Sequence, residues 1–110
     1  IALVLDDGHA RLGVVALDAI GFFHDDVVAV RRKVPAEAAL DYAVVCSTHN
    51  HSTPDLMGLW GPTPFRSGVD PQYRAQVIAA AARAIFTVPT HRYRAHFRCR
   101  FHRCRTQRGH

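Results

Sequence analysis

Two short apolar runs about 25 residues apart, with a helix-patterned segment between them, constrain this chain more than any other feature. Residues 12–17 are rich in Val and Leu and read as a buried strand; residues 42–46 (Tyr-Ala-Val-Val-Cys) read as another. Between them, residues 24–33 place Val27, Val28 and Val30 at helical spacing. Asp25 and Asp26 stand early in this segment, and Arg31, Arg32 and Lys33 stand late, which suits a helix dipole even though valine is a weak helix former. Pro35 stops or kinks the helix. A strand, helix, strand order of this length predicts a right-handed βαβ crossover with parallel, adjacent strands. Residues 1–5 supply a further short strand, closed by the turn signal Asp6-Asp7-Gly8. The expected class is α/β: a βαβ-type layered fragment with a largely parallel sheet.

Functional groups in such sheets gather beyond the C-terminal strand ends. Asp18 follows the first run of the βαβ unit, and His49 and His51 follow the second. Strand residues i and i+2 point the same way, so the two histidines are expected to project together into a polar loop. Neutral imidazole suits zinc, and fixed spacing pre-orients two donors. His49 and His51 are therefore candidate metal ligands, although surface or satisfied histidines look the same in sequence. Asp18 either orients a histidine or contacts substrate, or it caps its turn. Two familiar His-x-His patterns fit poorly. The metallo-β-lactamase pattern wants Asp and His where Thr53 and Pro54 stand, and the chain is too short to show the other ligands of an amidohydrolase barrel.

Residues 55–69 hold Gly58, Gly61, Pro62, Pro64 and Gly68 and read as a long loop, in which Trp60 and Phe65 either shape a binding surface or, the favoured reading, anchor the loop. Asp70 then caps a helix with Pro71 at its first position, and Val77, Ile78, Ala81 and Ile85 form its apolar stripe.

The segment Thr48-His49-Asn50-His51-Ser52-Thr53-Pro54 resembles the Thr-His-Thr-His-Ser-Gly-Pro segment of the neutral/alkaline non-lysosomal ceramidases. Val14-Val15-Ala16-Leu17-Asp18 looks like that family's earlier strand, and the likeness runs from about residue 12 to residue 85. Asn50 replaces Thr, Thr53 replaces Gly, and Leu56-Met57-Gly58-Leu59-Trp60-Gly61-Pro62 departs from the Gly-rich sequence of true ceramidases. The resemblance implies a zinc (Zn2+) amidase that cleaves an N-acyl bond, with an N-acyl lipid such as ceramide, or another amide, as substrate. It implies His49 as a zinc ligand and His51 as a catalytic histidine that hydrogen-bonds substrate or the attacking water. It also implies a further histidine, a glutamate and a tyrosine downstream, which have no counterpart in these 110 residues. Residues 1–85 are thus expected to be a partial N-terminal catalytic domain, and the chain to have no activity of its own.

Charge divides the chain in two. Residues 1–85 hold seven Lys and Arg and all nine acidic residues, a net of −2; residues 86–110 hold seven Arg and no acid. The body has no nucleic-acid footprint. The tail interleaves Arg with Tyr93, Phe97 and Phe101, and the alternative function is a basic protein that binds nucleic acid through residues 91–108. The favoured expectation is a frameshifted or otherwise degenerate end, because composition changes abruptly near Ile85; a disordered basic tail is the other. Three cysteines, an odd count in no framework spacing, do not argue for a disulfide scaffold, and Cys99, Cys104, His96 and His102 match no standard zinc finger. No apolar stretch approaches the ~20 residues that span a bilayer. Ile rather than Met at position 1 suggests a missing N-terminus, so secreted and cytoplasmic locations both stay open.

Overall fold

The computed structural model describes residues 1–88; the expectations for the basic tail beyond them lie outside the described residues. Strand β1 (Ala2–Asp6) pairs antiparallel with β2 (Arg11–Leu17), and β2 pairs parallel with β3 (Tyr42–Ser47), giving the order β1-β2-β3. Helix α1 (His24–Lys33) connects β2 to β3, followed by a 3-10 turn at Ala36–Ala38, and helix α2 (Pro71–Thr87) ends the fold. The α/β class and the βαβ unit are as expected. The sheet, however, is mixed rather than largely parallel. Only four residues join β1 to β2, and a parallel pairing needs a crossover of about a dozen or more, so this pair closes as a hairpin. Its turn is self-satisfied: Gly8 N donates to Asp6 Oδ1, and His9 N and Ala10 N donate to Asp7 Oδ1, while Gly8 takes a φ of +87°. The N–H groups of Ala10 and His9 hold the Asp7 carboxyl below its ordinary pKa.

Both helices pack on one face of the sheet. Val4, Val15 and Ala43 from the three strands meet Val30 of α1 and Ile78, Ala81, Ala82 and Ile85 of α2. The approach is close because the contact residues are small. At Gly13 an added Cβ would lie 2.8 Å from Ile85 Cγ2 and 2.9 Å from Leu40 Cδ1, so α2 rests directly on the bare backbone of β2. The predicted start of α2 is realised, with Asp70 Oδ1 accepting from Gln72 N at 2.8 Å and Tyr73 N at 3.2 Å. The helix continues through Thr87.

An ion pair joins the helices. Asp26 is 1 % exposed, and its Oδ1 accepts from Arg74 Nε at 2.6 Å and lies 2.5 Å from Nη2. Asp26 therefore does more than complement the α1 dipole: it fixes how α1 lies on α2. Arg31 seals the open side of β3, donating from Nε to Ala43 O at 2.8 Å and lying over the Tyr42 ring.

The opposite face of the sheet is apolar too. Register aligns three rows across it: Leu5, Leu12 and Tyr42; Leu3, Val14 and Val44; and Ile1, Ala16 and Cys46, with Ile1 bonded to the backbone of Ala16. Neither helix lies on this face, and Ile1, Leu3, Leu5 and Tyr42 are exposed. Among the described residues no helix is long and apolar enough to cross a membrane.

Candidate two-histidine site

Because β2 and β3 are parallel and in register, Leu17 opposite Ser47, their C-terminal ends leave the sheet together. The chains stay paired beyond the strands. Thr48 N donates to Leu17 O at 2.9 Å and Asn50 N to Ala19 O at 3.2 Å. Asp18 is exposed at this end, and its Oδ1 accepts from Thr48 Oγ1 at 3.1 Å. This bond crosses the two strand ends, so Asp18 touches the residue before His49 rather than an imidazole.

The strand ends at Ser47, and neither histidine belongs to it. The expected alternation of faces therefore does not operate; a turn does the work instead. His49 sits in the left-handed region at φ +62°, a conformation uncommon outside Gly and several-fold enriched in Asn, Asp and His. Asn50 tightens the reversal, its Oδ1 accepting from Ser52 N at 2.8 Å and its carbonyl from Thr53 Oγ1 at 3.2 Å. The result brings the rings together. His49 Nε2 and His51 Nε2 stand 3.3 Å apart, with ring planes at 88°.

His49 Nδ1 lies 2.8 Å from the carbonyl oxygen of Ile20. A carbonyl only accepts, so Nδ1 carries the proton and Nε2 of the neutral ring presents its lone pair. A backbone carbonyl that fixes the tautomer in this way is the usual outer partner of a metal-binding histidine. Two nitrogens held at zinc–nitrogen distance in tetrahedral geometry are themselves about 3.3 Å apart. The Nε2–Nε2 distance equals that spacing, and it is equally the distance of a hydrogen bond between the two rings. Among the described residues no group of three or more His, Cys, Asp or Glu is placed to hold a metal ion.

Trp60 completes the surroundings, its ring 6.2 Å from that of His51 and 66° to it. It is brought there by a turn built on Asp55, whose carboxylate accepts from Met57 N and Gly58 N at 2.8 Å and from Trp60 N at 2.9 Å. Burial pushes the Asp55 carboxyl up, but the N–H groups of Trp60, Met57 and Gly58 outweigh it and hold the group below its ordinary pKa. The favoured reading that Trp60 and Phe65 anchor the loop does not hold: Trp60 is 51 % exposed and Phe65 100 %. Leu56, buried between its neighbours, is the anchor. Sequence pattern marks Asp55 only as a turn residue; the Asx signal Asp-x-x-Gly at residues 55–58 was the available clue.

A groove of about 280 Å³ runs between β2 and α2 near Asp18, lined in part by Val15, Leu17, Leu56 and Val77; the histidines do not line it. Compared with protein-family models, with curated proteins and with solved structures, the chain matches none.

Proposed function

We propose that this chain contributes a two-histidine half-site to a zinc-dependent amide hydrolase of the neutral ceramidase type, acting on the N-acyl bond of a lipid or a related amide. The observation that carries the reading is the convergence of His49 Nε2 and His51 Nε2 at 3.3 Å, with Nδ1 of His49 committed to the Ile20 carbonyl. Zinc, when bound, supplies Lewis acidity toward an amide carbonyl and lowers the pKa of water near it toward ~7. The residues of the chain prepare for this. Ile20 keeps His49 in the tautomer that offers Nε2. Asp18, through Thr48, ties the two strand ends that set the entry to His49. His51 stands on the open side, where it serves as a second ligand or exchanges a proton with the attacking water. Half-exposed Trp60 offers an apolar wall beside it.

The site is incomplete by chemistry, since a catalytic zinc takes about three protein ligands and an open position. The expected behaviour of the 110-residue chain follows. Calorimetric titration with Zn2+ should show weak binding that is lost in both His49→Ala and His51→Ala, and no zinc-dependent ceramide hydrolysis should be detected. Binding that survives both substitutions, or no binding at millimolar Zn2+, would refute the half-site. Chelator-sensitive hydrolysis by this chain alone would refute its incompleteness.

A further inference from the structure

We infer that Asp55 is a positioning residue for the histidine pair, acting through Trp60. Three sets of contacts lead there. Both oxygens of the Asp55 carboxylate are spent on backbone N–H groups of one short turn, the last of them that of Trp60. The turn is pinned to the body by Leu56 and by Met57, whose sulfur occupies the space a Cβ at Gly21 would need. Gly21 follows Ile20, the residue whose carbonyl holds His49, so the loop and the first histidine are referenced to the same stretch of backbone. Beyond Trp60 the loop closes on itself. A Cβ on Gly61 would collide with the Arg66 carbonyl, and one on Gly68 with the Trp60 carbonyl. Arg66 N also donates to Thr63 O at 3.1 Å.

Trp60 is therefore held from both sides along its backbone, yet its ring remains half exposed and buries little. What the ring does touch is His51, edge-on. His51 itself is exposed, and its ring meets only His49 and Trp60 among the aromatic contacts of the described residues. Free of Trp60, that imidazole would explore other rotamers and lose its alignment with His49 Nε2. The chain of effects runs from the Asp55 carboxylate to the Trp60 backbone, to the indole, to the His51 ring.

The inference rests on the histidine pair being the working site, and its test keeps the two apart. Zn2+ affinity of the full 110-residue chain is measured for the parent, Asp55→Ala, Trp60→Ala and the double variant, with circular dichroism to show that each is folded. An aromatic pair of this kind corresponds to a loss of about three- to tenfold when removed. Both single variants should lose that much, and the double variant should be no weaker than Trp60→Ala alone, because Asp55 acts only through the ring. Asp55→Asn, which keeps one acceptor oxygen, should fall between parent and Asp55→Ala. Independent additive losses, or parent-like affinity in Asp55→Ala, would overturn the inference. The ring-proton NMR shifts of His51 provide a readout without metal, since the indole ring current should vanish equally in both single variants. If that happens while the parent binds no Zn2+, the positioning stands and the metal reading falls. If the parent binds Zn2+ and Asp55→Ala leaves the shifts in place, the positioning falls and the metal reading stands.

Discussion

Residues 42–47 and residues 48–60 are neighbours in sequence but are held by different forces. The strand is held by its ladder to β2 and by Ala43 packed under α1 and α2. The segment after it is held by local polar bonds: Asn50 and Asp55 fold their own turns, Thr48 meets Asp18, and His49 meets Ile20. Leu56 is its one deeply buried apolar side chain. A core held by area and a site held by directed bonds can vary separately. Loss of one core methyl group loosens the body everywhere, whereas loss of one carboxylate disturbs only what that carboxylate orients.

The difference can be broken most forcefully from the core side. Ile85→Ala removes a fully buried side chain that lies on Gly13 and should cost ~2–5 kcal/mol of stability in urea unfolding. Well below the melting temperature, the His51 ring-proton shifts should not move; if they do, body and site are one cooperative unit. Arg74→Ala comes next. It strands a buried Asp26 carboxylate, but Arg74 is itself 42 % exposed, so the cost should be about 2–3 kcal/mol rather than the ~3–5 of a wholly buried pair. The same denaturation measurement reads it, and an Asp26→Asn, Arg74→Ala double variant should recover part of the loss. The smallest effect is on the site side and is set by pH. The folded pKa of Asp55 is depressed, so its stabilising contribution is complete above the unfolded value of about 4 and is lost as pH falls through the folded value. Trp60 is the chain's single tryptophan, and its emission should shift below about pH 4 while the helix signal at 222 nm stays. Coincident transitions would show that the loop does not open on its own.

Much of the body was legible in the residues. The dipole-matched charges and Pro35 bounded α1 at residues 24–33, and Asp70-Pro71 marked the start of α2, because caps and breakers act locally. The direction of β1 was not read, although a four-residue connection dictates it. The Asp26–Arg74 pair spans 48 residues and has no local signature. The two histidine rings do come together, but by another route than the one expected. Alternation along a strand was to bring them together, whereas a left-handed residue and an Asx turn do so. Asp18 was placed correctly at the strand end, but its contact with Thr48 depends on register, which periodicity alone does not give. Asp55 is visible in sequence as a polar residue after the histidines, but its hold on the Trp60 backbone is not, because a carboxylate that folds a turn looks like any loop acid.

The three apolar rows on the helix-free side of the sheet have a calorimetric consequence. Unfolding normally raises heat capacity by about 12–15 cal/mol/K per residue, chiefly because buried hydrocarbon becomes hydrated. Here Leu3, Leu5, Tyr42 and Ile1 are already wet in the folded state. Ile1 is fully exposed and Leu3, Leu5 and Tyr42 are only partly covered, so together they add less to that increment than buried side chains do. The body made by residues 1–88 should therefore have a flatter stability curve than its size suggests, with its maximum less sharply defined in temperature. Any layer laid over those rows would steepen the curve by the hydrocarbon it dries.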